Sequence, residues 1–382
     1  MSTVSIVGVG MVPFGKYGAR SLADIAWPAV KDALRDANVK PSQIHAAYCG
    51  TALGGMMAGQ RILGRLGITG IPITNVENAC SSSSSALHQA VLAIRAGQYE
   101  VVLVIGAEKL TKFGQGTLPL EQEDWEVTQG MVMPAVYAMR AQRYMYECAL
   151  TREQLAQVAV KNRRHGALNP DAQLREAVTL EQVLSSRCVA DPLTRLQCCP
   201  IGDGAAALVV CASSVAPRFA GSAIRILASE LTSGRCSNGF RDMATAEITV
   251  RGARLAYEEA GLGPADIDVA EVHDAFTIAE LLYYEAFGFC ERGAAAELLA
   301  SGATSLGGRI PVNPSGGLLA KGHPIGATGA AQIVEIVRQL RGQAAGRNVA
   351  HARVGLAHAT GGGIAGFDHG ACSIHILGAS NQ

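Results

Sequence analysis

The sequence predicts a layered α/β fold built twice over, and three observations carry that expectation. Short apolar strands alternate with amphipathic helices from the first residues onward, the pattern of a sheet covered by helices. One helix pattern recurs. Leu87, Ala90, Val91 and Ile94 match Ile333, Ile336, Val337 and Leu340 at a constant offset, and each set runs on into an apolar strand (Val101 to Ala107; Val354 to Ala357). The third observation is composition: 382 residues exceed one ordinary core, and 49% hydrophobic against 17% charged residues suits a large, well-buried enzyme.

The same composition excludes several classes. Lys plus Arg equals Asp plus Glu at 32 each, so there is no overall electrostatic footprint for nucleic acid or an anionic membrane. No apolar run reaches the roughly 20 residues of a membrane-spanning helix. Ten cysteines stand without a repeated spacing and no secretory signal precedes the first strand, which predicts a reducing, cytoplasmic setting. Cys198 and Cys199 are adjacent, poor geometry for a disulfide or a metal clip, and read as ordinary buried residues. No bound metal is expected.

Taken in order, Val4 to Val9 is a strand ending at Gly10, and Ser21 to Ala37 is a helix with Ala26, Val30 and Leu34 along one face. Ala46 to Gly50 is a second strand, and Ala52 to Gly59 is a glycine and methionine loop. Asn75 to Glu108 follows, the stretch around which the chain is organised: NVENAC, five serines, a helix stopped near Gly97, then a buried strand. Leu110 to Gly130 reads as surface loop. Helices are expected over Met133 to Glu147, Arg152 to Arg163 and Leu180 to Ser185, before a strand from Ala205 to Cys211. Residues 111–200 therefore form an insertion within a first unit, 1–220. A second unit, 221–382, opens near Gly221, with a strand Ile224 to Ser229, a helix Thr245 to Ala260 and a strand Ile267 to Val272.

Cys80 falls at or just before a helix start, where unpaired N–H groups and the helix dipole favour a thiolate, so it is a candidate nucleophile. The alternative is a buried structural cysteine ahead of a small-residue helix that packs closely. His323 stands on a tight loop between Gly322 and Pro324. His273 ends a buried strand, where α/β folds place ligand-contacting groups, and its neighbour Asp274 is a candidate cap for the next helix. His358 precedes Gly361, Gly362 and Gly363, whose N–H groups can reach a carbonyl oxygen. In a duplicated fold the two equivalent helix starts can face one another, bringing Cys80 and His323 together.

In this order, Asn78 to Ser85, Gly202 to Ala207, His273 to Phe276, Asn313 to Gly329 and Gly361 to Gly363 make the chain resemble the thiolase superfamily from end to end. The stretch Asn313-Pro-Ser-Gly-Gly through Lys321-Gly-His-Pro-Ile-Gly-Ala-Thr-Gly is its most specific part, and His273-Asp-Ala-Phe is similar to the branch of sterol carrier protein thiolases and archaeal acetoacetyl-CoA thiolases. The resemblance implies a duplicated five-layer α-β-α-β-α thiolase fold with an inserted loop domain, a homodimer, and a CoA thioester as substrate with no tightly bound cofactor. By the same resemblance Cys80 takes the acyl group and His323 activates it. His323 and a water on His273 form one oxyanion hole, and the N–H groups of Cys80 and Gly361 form the other.

The chain departs from that pattern at the second cysteine. Ala359 stands two residues before the glycine run and Ala275 inside the His-Asp motif, which leaves two alternatives: His358 or His273 takes the acid/base role, or the reaction needs no such proton transfer. The expected reaction is Claisen condensation or thiolysis of 3-oxoacyl-CoA. The alternatives are acyl transfer to an electron-rich phenolic carbon, retro-aldol cleavage of a CoA-bound side chain, or a non-catalytic acyl-CoA-binding subunit. Relatives lacking the second cysteine often work with a small OB-fold, zinc-ribbon partner.

Overall fold

The computed structural model describes residues 3–114, 125–219, 222–235, 242–362 and 369–379. The junction near Gly221, and Gly363 of the glycine run, lie outside them. The chain begins β1 (Val4–Met11), α1 (Leu22–Ala37), β2 (Ala46–Gly50), α2 (Ala58–Gly64), β3 (Ile73–Val76), α3 (Ser82–Arg95) and β4 (Val101–Lys109). Helices α4 (Trp125–Thr128), α5 (Met133–Cys148), α6 (Arg152–Ala167) and α7 (Leu180–Ser185) follow. A hairpin of β5 (Cys188–Ala190) and β6 (Leu193–Thr194) comes next, and then β7 (Asp203–Ala212). The rest is β8 (Ile224–Ser233), α8 (Glu247–Ala260), β9 (Val269–Glu271), α9 (Thr277–Ala286), α10 (Ala295–Ala300), α11 (Gly317–Ala320), α12 (Ile325–Leu340), β10 (Val354–Gly361) and β11 (Ala371–Ala379).

Nine strands hydrogen-bond in the order β3-β2-β4-β7-β1-β8-β11-β10-β9. Read outward from the β1–β8 seam, that order is a palindrome: β1, β7, β4, β2 on one side answer β8, β11, β10, β9 on the other. The partner of β3 is reduced to a single parallel bridge between Ala270 and Val312. Three residue pairs close the seam, Val4 with Ile226, Ser5 with Arg225 and Ile6 with Ile224.

Helices α3 and α12, the two that share one apolar pattern, lie side by side between the halves of the sheet. Helices α1 and α2 cover one outer face and α8 and α9 the other, which gives five layers. Alternation along β4 shows why its sequence is apolar without a break. Val102 and Val104 face the middle helices while Leu103 and Ile105 face α1 and α2, so both faces are buried.

The serine run is explained by the middle layer. A Cβ on Gly106 would lie 2.6 Å from the Ser83 Cβ, and one on Gly329 would lie 2.6 Å from that of Ser84. Only small residues let helix, helix and strand approach so closely, and the Ser83 hydroxyl accepts from the Ala330 N–H at 2.9 Å. Gly10 does not end the first strand, which runs on to Met11. Its missing side chain admits α1, whose Ala29 carbonyl would lie 2.3 Å from a Cβ there. Strands β3 and β11 and helix α2 carry no clear period in the sequence and were not expected. Among the described residues no helix is long and apolar enough to cross a membrane.

Candidate active site

Cys80 does not stand on the α-helix itself. It is the middle residue of a 3₁₀ turn, Ala79–Ser81, that feeds α3. Ala79 has φ +47, a left-handed conformation that costs a non-glycine residue about 1 kcal/mol. The surroundings hold it there. The Ala79 N–H donates to Glu77 Oε1 at 2.6 Å, the Asn78 N–H to Ser82 Oγ at 3.0 Å, and the Asn78 amide to Ser85 Oγ at 2.9 Å. From the other half, β10 presses on the turn so tightly that a Cβ on Gly361 would lie 2.0 Å from the Asn78 carbonyl oxygen.

His323 precedes α12 as Cys80 precedes α3, and the two helix starts meet. Cys80 Sγ and a ring nitrogen each of His273 and His323 all lie within 4.8 Å of one another, a set that could also hold a metal ion. His273 and His323 meet edge to face with centroids 5.0 Å apart. His323 Nδ1 lies 2.8 Å from Thr328 Oγ1, whose hydroxyl proton is directed to the Pro324 carbonyl at 3.1 Å. Thr328 is therefore the acceptor and His323 the donor, which puts the ring proton on Nδ1 and leaves the Nε2 lone pair free to take a proton. His273 is 3% exposed, and its Nδ1 has no hydrogen-bond partner among the described residues.

The electrostatics reverse one expectation. The helix start does not produce a resting thiolate: burial, aided by the Glu108 carboxylate, pushes the Cys80 thiol up to about 12. The N–H groups of Gly362 and of Cys80 itself reach the sulfur and only partly oppose that shift. Burial likewise pushes His323 down to about 3, and burial together with the rings of His323, His358 and His369 holds His273 well below its usual range. The resting trio is a neutral thiol beside two neutral imidazoles.

Asp274 does not cap α9, whose N-terminal residue Phe276 has no side-chain cap. It accepts instead from the Leu318 N–H at 2.6 Å and the Asn162 amide at 2.7 Å, tying the His273 segment to the loop before His323. Lys161 and Glu280 pair at 3.0 Å, as do Lys321 and Glu271, all four side chains being buried. Glu280 also accepts from the Asn313 amide at 2.6 Å, and Glu271 from the Ser315 hydroxyl at 2.6 Å. Breaking one partner of such a pair costs about 3–5 kcal/mol, so this platform holds its geometry.

His358 is not brought to the trio. Alternation along β10 sends Ala357 and Ala359 to one face and His358 to the other. There it bonds Thr249 Oγ1 at 3.1 Å and packs edge-on against Tyr283 and Phe287. Gly361 lies against the Cys80 turn, as described. Three neighbours were missed in the sequence. Tyr137, on α5, stacks on Phe276 at 4.5 Å and bonds His369 Nε2 at 2.7 Å. The third is Cys199, whose thiol is held well above its usual range by burial and then by the charges of Cys198, Cys80 and Asp274.

A thiol, a tautomer-fixed imidazole and a second buried imidazole at the centre of a duplicated α/β fold are the groups that cysteine-based acyl transfer calls for. Residues 4–214 match the family description "Thiolase, N-terminal domain" and residues 230–371 match "Thiolase C-terminal domain-like". The chain belongs to the thiolase family and is an acyl-CoA acyltransferase. It is 44% identical over 366 residues to the benzoylsuccinyl-CoA thiolase subunit BbsB of Thauera aromatica, covering 94% of this chain and 95% of that one. It is 40% identical over 386 residues to the acetyl-CoA acetyltransferase of Methanothermobacter thermautotrophicus, covering 99% and 100%. Among solved structures the Ltp2-ChsH2(DUF35) aldolase superposes with TM-score 0.86 at 28% identity, over 100% of this chain and 99% of that one. Human mitochondrial 3-ketoacyl-CoA thiolase in complex with CoA superposes with TM-score 0.76 at 20% identity, over 100% and 98%, a likeness of fold.

Proposed function

We propose that Cys80 carries the acyl group, that His323 is its base, and that the enzyme forms or cleaves the carbon–carbon bond of a 3-oxoacyl-CoA. The observation that carries this reading is the meeting of Cys80 Sγ with the two imidazoles within 4.8 Å, from helix starts 243 residues apart in sequence (323 − 80). His323 Nε2 takes the thiol proton as sulfur attacks the thioester. The N–H groups of Cys80 and Gly361 stabilise the oxyanion of the acyl-enzyme step. His323, with a water on the unpartnered Nδ1 edge of His273, receives the enolate oxygen of the incoming thioester, and such donors are worth roughly 10²- to 10³-fold in rate each.

The same reading divides the chain into 1–220, with 111–200 inserted, and 221–382, a division that the palindromic strand order supports. It also assigns a homodimer, for which the outer edge of β3, the end of the sheet among the described residues, is available. The nine described cysteines are all free thiols, in keeping with a cytoplasmic setting. A small OB-fold, zinc-ribbon partner fits two relatives, one named as a subunit and the other solved with a DUF35 protein.

Incubation with acetyl-CoA should add one acetyl group at Cys80, mapped by peptide mass, and Cys80→Ser should abolish turnover with the fold intact. Label on another cysteine, or activity in the serine variant, would sink the assignment. Wild-type enzyme that cleaves a β-hydroxyacyl-CoA without ever acylating Cys80 would favour retro-aldol chemistry instead.

A further inference from the structure

An α-proton of a thioester leaves only to a base within hydrogen-bond reach of that carbon, as the enolate oxygen is stabilised. Cys80 cannot be that base once acylated. On the reading above His323 and His273 serve the oxygen, and His358 faces the other side of β10. Ala359 and Ala275 carry no ionisable group. Among the described residues, the Cys199 thiol is a further group at the site with the right chemistry.

The Cys199 N–H donates to the Ala275 carbonyl at 2.9 Å, one step along from an antiparallel bridge between Cys198 and Phe276. Side chains directly opposed across such a pair share a face, and the next pair takes the opposite one. Phe276 turns to stack on Tyr137, and Cys198 Sγ turns to the Thr194 carbonyl at 3.4 Å. Cys199 and Ala275 therefore look the other way, toward the side where the charges of Cys80 and Asp274 act. Cys199 is half-buried as a residue, and burial, followed by the charges of Cys198, Cys80 and Asp274, holds its thiol well above the usual range, so it is a proton carrier and not a resting thiolate. An independent sign that this corner awaits a ligand is the buried, unpartnered Nδ1 of His273.

We propose that Cys199 is the second thiol of the site and moves the α-proton of the incoming CoA thioester. This role rests on the acyl-Cys80 reading above, and the protons balance. In the first half His323 takes the Cys80 proton, the thiolate attacks the acyl donor, and the departing CoA thiolate takes the proton of Cys199. The site then holds an acyl-thioester, an imidazolium and the Cys199 thiolate. In the second half that thiolate removes an α-proton from acetyl-CoA, and the α-carbon forms its new bond to the acyl carbonyl. The Cys80 thiolate is expelled and takes the proton from His323. Both thiols and the neutral imidazole are restored, with no oxidant or metal consumed.

The test uses the whole enzyme and separates the two half-reactions. Cys80 acylation is read by mass, and proton removal by deuterium entering the methyl group of acetyl-CoA in heavy water. In Cys199→Ser, which keeps the volume, acyl-Cys80 still forms because His323 can return its proton to CoA. Exchange and condensation fall together by about 10²- to 10⁴-fold. A thiol placed across the ladder, Ala275→Cys in the Cys199→Ser background, brings exchange back at least about tenfold. Exchange at the wild-type rate in Cys199→Ser overturns the role, and so does a double variant that acylates without regaining exchange. If the wild type acylates Cys80 but never exchanges, the Claisen reading itself falls, and this role with it.

Discussion

His323 Nδ1 and Thr328 Oγ1 lie 2.8 Å apart, five residues along the chain and across the first turn of α12. Because the threonine proton is directed to the Pro324 carbonyl, the bond sets which nitrogen of His323 is a base. Thr328→Val keeps the shape but removes the acceptor, leaving a buried N–H unsatisfied at about 1–3 kcal/mol. The rate of Cys80 acylation should fall roughly tenfold to a hundredfold on that scale, while Thr328→Ser stays close to wild type. His323→Ala should lose about 10²- to 10³-fold in both halves of the reaction. Rapid-quench acylation kinetics decide, and a valine variant as fast as wild type would show that the tautomer needs no such anchor.

The neutral resting trio has a signature in pH. With the Cys80 thiol near 12 and His323 near 3, neither group changes charge across neutrality. The thiolate fraction below its pKa rises about tenfold per pH unit, so alkylation of Cys80 by iodoacetamide should climb steadily from about pH 6 to 9 without a plateau. An inflection between pH 5 and 8 would instead reveal a resting thiolate–imidazolium pair.

Two neutral imidazoles and a thiol within 4.8 Å also resemble half-made metal chemistry. Zinc should compete with acylation by displacing the Cys80 proton and joining sulfur to two ring nitrogens. Prior acylation of Cys80 should protect, and a chelator should restore activity. Cobalt provides the direct reading, since a sulfur-to-metal charge-transfer band should appear in the wild type and not in Cys80→Ser. Its absence in both would mean that the three side chains cannot close on an ion.

Gly317 shows how tightly the loop before His323 is built. It has φ +60, and a Cβ there would lie 2.2 Å from Asp274 Oδ2. Gly317→Ala combines a left-handed strain of about 1–2 kcal/mol with overpacking of about 1–3 kcal/mol, and it displaces the carboxylate that holds the Leu318 amide. Melting should come several degrees lower, at roughly 2–4 °C per kcal/mol, with acylation slowed as well. Unchanged melting would mean that the loop yields more easily than its contacts imply.

What the sequence made legible follows from what each residue answers to. Leu87 and Ile333 repeat because both stripes face one middle layer, so duplication could be read from periodicity alone. Cys80 and His323 could be paired because equivalent helix starts converge. The protonation state could not be read, because it depends on how deeply the two halves bury the thiol, a property of the closed site. Nor could His358 be sent to the correct face, since a strand of small residues such as Ala357, Ala359 and Gly361 shows no in–out contrast. Cys199 looked ordinary because its significance lies across a short ladder from Ala275, a pairing between segments 76 residues apart (275 − 199). Thr328, by contrast, stood within the most specific motif, and only its hydroxyl's direction was missing.

The seam between β1 and β8 has a consequence for how the chain is made. β1 is buried along its whole length, yet both its neighbours, β7 and β8, are synthesised about 200 residues later. At roughly 5–20 residues per second, an apolar strand emerges from the ribosome and waits some 10–40 s before either partner exists. Until then its edges are open templates for other strands. Strand β1, Val4–Met11, is thus both a central girder of the finished sheet and, during translation, a segment for which a chaperone has reason to intervene.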